Sequence, residues 1–130
     1  MKPKPGGVRE NFVANARAMM SAAGQLARCD FTVLLDFSIS PRMLPTARKF
    51  FRDGVPFDYV VLRPSLAVCA TRAAARPEGR IEDYDDLRDF YESFSDAGDH
   101  ILADDVSDAA TLAACIHEGL QAGRYRVAPE

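Results

Sequence analysis

The chain has 130 residues, 48% of them hydrophobic and 27% charged, and a net charge of −3. A length near the modal domain size allows one real core. The acidic balance argues against a nucleic-acid binder that relies on bulk positive potential, and no apolar run approaches the roughly 18 residues needed to cross a bilayer. The opening stretch MKPKPGGVRE lacks the apolar centre of a signal peptide, so cytoplasmic residence is the expectation.

Residues 1–8 are rich in Pro, Gly and Lys and read as a flexible N-terminal segment, with 9–130 as a single α/β domain. From Arg9 to Arg28, Phe12, Ala16, Met19, Met20, Ala23 and Leu26 recur at three- and four-residue steps and predict a helix. Phe31 to Phe37 (FTVLLDF) is almost continuously apolar and predicts a strand buried on both faces. Ser40 and Pro41 then suit the N-cap and first position of a helix whose start Pro45 should kink or tighten and which Gly54 stops.

A second both-faces-buried strand is expected at Tyr59–Leu62, ended by Pro64, with Ser65 placed to cap the next helix. Arg72 and Arg76 are expected to share a face of that helix, with Arg80 just past it. Asp83 caps a predicted helix bearing Leu87, Phe90, Tyr91 and Phe94, an aromatic stripe that reads as core, and Gly98 ends it. His100–Ala103 forms a short third strand. Ser107 or Asp108 caps a last helix whose inner face is Ala109, Leu112, Ala113, Ile116 and Leu120, and Gly123 stops it. The order α-β-α-β-α-α-β-α predicts a layered αβα fold around a parallel sheet of about three strands.

The three cysteines, Cys29, Cys69 and Cys115, form no CxxC or Cys/His cluster, so neither zinc nor a disulfide framework is indicated. Cys69 and Cys115 lie in apolar helical patterns and read as buried structural thiols. His100 and His117 read as structural or exposed.

In open parallel sheets, ligands bind beyond the carboxyl ends of the strands. Those ends carry Asp36, Arg63 and Asp104-Asp105. Asp36 could hold Mg²⁺ or a water, or accept a substrate hydroxyl proton; it could equally cap the Ser38–Ser40 loop. Arg72 and Arg76 could clamp phosphate oxygens, a task suited to the planar guanidinium, or complement the negative end of their helix, or pair with Glu82, Asp83 and Asp86. Asp104-Asp105 reads as helix capping, and the acidic series Glu82 to Asp89 as a solvated face at a helix N-terminus.

Taken together, RENFVANARAMMSAA, FTVLLDFSISP, DYVVLRPSLAVCATRAAAR, GDHILADD and HEGLQAGRYRV resemble the C-terminal two-thirds of P-loop small-molecule kinase-like proteins, of the AAA-family ATPase or chloramphenicol-phosphotransferase-like type. The resemblance covers about residues 5 to 127 and rests on the order and spacing of these pieces. It implies Mg-ATP as cofactor, an acid near the reacting phosphate at Asp36, lid arginines at Arg72 and Arg76, and an asparagine on the substrate side at Asn11; Arg63, read from its place at a strand end, is the further candidate for substrate contact.

The chain departs from that pattern at its start. It contains no GxxxxGK[ST] loop, whose backbone N–H groups and lysine cradle phosphates. The expectation is therefore a truncated kinase-like protein, ancestrally an ATP-dependent phosphotransferase acting on a small hydroxylated molecule and inactive as it stands. The alternative is a non-catalytic α/β binding or oligomerisation module. Expected partners are a nucleotide or small phosphorylated molecule, and a second copy or another chain that fills the sheet by strand addition. Neither nucleic acid nor membrane is expected.

Overall fold

The computed structural model describes residues 7–51 and 54–129, so the flexible segment expected at 1–8 falls outside it except for its last two residues. The chain groups into two compact units, residues 1–57 with 128–130, and residues 58–127.

The first unit is built on α1 (Val8–Arg28), within one residue of the predicted start and at the predicted end. Its inner face buries Ala16, Met20 and Ala23. A 3-10 turn at Pro41–Met43 runs into α2 (Leu44–Phe50), so Pro41 and Pro45 tighten the start as expected. Ser40 holds the N-cap position, but its side chain makes no cap hydrogen bond. Ala16, Met20 and Ala47 form the core, with Leu35, Phe37, Ile39, Met43, Phe50, Phe51 and Phe57 packed around it. α1 meets α2 closely at Gly24, where a Cβ would lie 2.6 Å from the Phe50 carbonyl oxygen. The Arg28 guanidinium donates to that same oxygen at 3.0 Å.

Residues 31–37 correct the sequence reading: they form no strand. A strand exists only through a ladder, and no described backbone pairs with this one. Nor is it buried on both faces, since Phe31 is 63% and Leu34 93% exposed.

The second unit holds two parallel strands, β1 (Val61–Leu62) and β2 (Ile101–Leu102), paired Val61 to Ile101 and Leu62 to Leu102. The sheet thus has two strands among the described residues, where about three were expected. Between them lie α3 (Leu66–Ala74), a 3-10 turn at Asp85–Leu87, α4 (Arg88–Glu92) and a 3-10 segment over Ser95–His100. After β2 comes α5 (Ala109–Gln121), stopped by Gly123 in the left-handed region at φ 71°. The chain then returns to pair Arg126 antiparallel with Asp58, an ion pair at 3.0 Å.

Three further expectations change in this unit. β1 is buried on one face only: Val61 is buried but Leu62 is 56% exposed, because a two-stranded ladder leaves its second face uncovered. α3 ends at Ala74, so Arg76 lies beyond the helix rather than on it. Arg76 precedes Pro77, whose ring disfavours helical backbone in the residue before it. Cys69, on α3, is half-buried, and Cys115 is exposed on α5, which buries only part of the face assigned to it and leaves Ala109 and Ala113 outside.

Candidate functional site

The site is built where β1 and β2 end. Arg63 extends the ladder, its N–H donating to the Leu102 carbonyl at 3.0 Å. Its guanidinium stacks on Tyr91, 4.2 Å from the ring centre, and pairs with Glu92 at 3.1 Å. The Tyr91 hydroxyl donates to the Pro64 carbonyl at 2.8 Å. These contacts fasten α4 to the β1–α3 turn and occupy Arg63 structurally.

Ser65 caps α3 as the sequence indicated, its hydroxyl accepting from the Val68 N–H at 3.4 Å. The Ser65 N–H donates to Asp105 Oδ1 at 2.6 Å, which binds the loop after β2 to the loop after β1. Asp104 closes the following turn. Its Oδ1 accepts from the N–H groups of Val106 and Ser107 at 2.9 and 2.7 Å, and its Oδ2 from the Ser107 hydroxyl at 2.7 Å. The hydroxyl and then the backbone donors hold its carboxyl below the usual carboxylate range, and the positive charge of Arg72 acts in the same direction.

Above this junction opens a cleft of about 380 Å³. Its floor is apolar, made by Leu62, Ala73, Ile81, Leu87, Leu102 and Leu112. Its polar rim is Cys69, Arg72, Arg76, Tyr84 and Asp104. The loop after α3 folds back over the helix, with the Ile81 N–H donating to the Ala73 carbonyl at 3.2 Å, and this brings Tyr84 beside Cys69 and Arg76. Burial raises the Tyr84 hydroxyl above its ordinary pKa, Cys69 adds to the effect, and Arg76 opposes it.

Arg72 and Arg76 therefore both line the cleft although only Arg72 is helical. Neither is among the ion pairs of the described residues, which join Arg63 to Glu92, Arg80 to Glu82, Arg88 to Asp85 and Arg126 to Asp58. Of the acids considered as their partners, Glu82 pairs with Arg80, and Asp83 accepts from the Asp85 N–H at 2.9 Å. The Asp86 side chain lies outside the described residues.

Asn11 and Asp36 belong to the first unit. Asn11 is half-buried in the first turn of α1, its N–H donating to the Gly7 carbonyl at 2.7 Å, and Asp36 is exposed on the segment before α2. Sequence reasoning missed Tyr84 and Cys69 as rim residues, because a loop fold-back has no periodic signature. A hollow along α1, lined by Arg9, Glu10, Val13, Ala14 and Arg17, belongs to a single helix and brings no groups together from other elements.

The cleft brings two cationic side chains, Arg72 and Arg76, together with one carboxylate, Asp104. Two guanidiniums offer planar donor forks, whereas both oxygens of Asp104 and one of Asp105 are already engaged in loop hydrogen bonds. No group of three or more His, Cys, Asp or Glu among the described residues could hold a metal ion. No described helix is long and apolar enough to cross a membrane. Comparison with protein families, curated proteins and solved structures finds no match to this chain.

Proposed function

We propose that this chain is a phosphate-binding module of P-loop kinase-like descent, in which Arg72 and Arg76 hold the phosphate of a nucleotide or small phosphorylated molecule. The observation that carries it is that two arginines line a cleft at the carboxyl edge of parallel strands, both outside the ion pairs of the described residues. Arginine's planar fork recognises phosphate oxygens two at a time, and a partly apolar cleft strengthens such bonds relative to open water.

The reading is one of binding without phosphoryl transfer. Transfer in the P-loop kinases depends on a backbone cradle and lysine around the β- and γ-phosphates, and these 130 residues hold no GxxxxGK[ST] sequence.

Titration calorimetry with sodium pyrophosphate and with ADP, at low ionic strength, tests the proposal. Saturable binding is expected, weakened about tenfold or more in the double variant Arg72→Ala/Arg76→Ala, and not strengthened by added Mg²⁺. No heat of binding, or an affinity indifferent to the double substitution, would falsify it.

A further inference from the structure

Residues 32–37 alternate in exposure. Val33, Leu35 and Phe37 are half-buried, with Leu35 and Phe37 packed on the Ala16–Met20–Ala47 core. Thr32, Leu34 and Asp36 face outward, Leu34 at 93% exposure. This two-residue period is that of a β-strand. At its ends the Phe31 N–H donates to the Leu26 carbonyl at 3.2 Å and the Ile39 N–H to the Phe37 carbonyl at 2.8 Å. Between those ends, the backbone of residues 32–36 makes no hydrogen bond to any described residue. The segment is patterned and placed as a strand, and its ladder partner is missing from the described chain.

We propose that this segment pairs with the same segment of a second copy, antiparallel about a two-fold axis through Leu34. Four features favour a copy of this chain. Two-fold antiparallel pairing sets Asp36 opposite the partner's Thr32, so a carboxylate meets a hydroxyl and no like charges oppose. Parallel in-register pairing would instead set the two Asp36 carboxylates side by side. The same axis sets Val33 opposite the partner's Leu35, so the row packed on one core continues into the row packed on the other. Leu34, nearly fully exposed in the single chain, meets the partner's Leu34 on the axis. The stretch also carries no Lys or Pro, the residues by which free strand edges are commonly guarded. A two-fold contact of this kind closes on itself and stops at a dimer.

Sedimentation equilibrium of the full chain over a wide concentration range tests the pairing. The unmodified chain is expected to show a monomer–dimer equilibrium. Leu34→Lys places two ammonium groups on the axis and weakens association about tenfold or more. Thr32→Lys places a lysine opposite the partner's Asp36 twice per dimer and tightens association roughly two- to thirtyfold. Both positions are exposed, so circular dichroism of the variants should match the parent. A chain that stays monomeric at every concentration, a dimer indifferent to Leu34→Lys, or one weakened by Thr32→Lys would each overturn the proposal. The cleft arginines take no part in the test, so it stands or falls independently of phosphate binding.

Discussion

Tyr125 is the largest fully buried side chain, and its hydroxyl has no hydrogen-bond partner among the described residues. A buried hydroxyl left unpaired costs about 1–3 kcal/mol of desolvation, so removing it relieves a penalty. Tyr125→Phe is therefore expected to leave stability unchanged or to raise it by about 1 kcal/mol in urea unfolding; a loss of that size would sink the idea that the hydroxyl is unpaired. The ring itself is hemmed in. A Cβ at Gly119 would run into it, so Gly119→Ala is expected to destabilise by about 1–3 kcal/mol through overpacking. Arg63 shows a similar division of labour. At a strand end it reads as a ligand contact, but stacking on Tyr91 and pairing with Glu92 make it a brace beside the cleft.

At the level of elements, the cleft depends on how α3 starts. Ser65 supplies the cap and receives Asp105 on its own N–H, and Arg72 stands about two turns further along the same helix. Ser65→Ala is expected to cost about 1 kcal/mol and to weaken pyrophosphate binding as well, because the frayed turn carries the wall of the cleft. Asp108 caps α5, accepting from the Thr111 N–H at 2.8 Å. Asp108→Ala should cost a similar amount, about 1 kcal/mol, yet leave the affinity alone. Equal stability losses with unequal affinity losses, measured by urea unfolding and calorimetry, are the expected pattern; equal effects on both would argue that the α3 cap does not position Arg72.

For the whole molecule, pH sets a window. The carboxyls of Asp104 and Asp108 are held below their ordinary range, each mainly by hydrogen bonds to its own turn. A carboxylate depressed in the folded state stabilises above its unfolded pKa of about 4 and loses that contribution as pH falls through the folded value. At the other end, burial pushes the Tyr59 hydroxyl up to about 12. The unfolded chain ionises that tyrosine near pH 10 while the folded chain keeps its proton, so this contribution is lost as pH rises from about 10 toward 12. The thermal midpoint should be level between these limits and fall beyond both. Asp104→Asn should flatten the acid limb, and Tyr59→Phe the alkaline one. The midpoint should also rise with protein concentration if the native form is a dimer, by mass action.

Much of the chain was legible because its signals are local. The apolar period of α1 fixed its bounds to within a residue, Ser65 and Asp108 carry their own capping chemistry, and Gly123 takes the left-handed backbone that ends α5. The arginine pair was legible for the same reason, as two guanidiniums shortly after a strand and a turn. What residues 31–37 do was not legible. Their composition dictates an extended apolar segment, but a strand requires a second backbone at hydrogen-bonding distance, which no residue within the segment can supply. The exposure of Cys115, the release of Arg76 from α3 and the arrival of Tyr84 and Cys69 at the cleft rim likewise depend on which surfaces meet. Sequence alone determined α1, the caps of α3 and α5 and the chemistry available at the strand ends, since each arises from neighbours a few residues apart. Tertiary structure alone decided which of those groups share a cleft and that residues 31–37 have no ladder among the described residues, since both depend on contacts between residues distant in the chain.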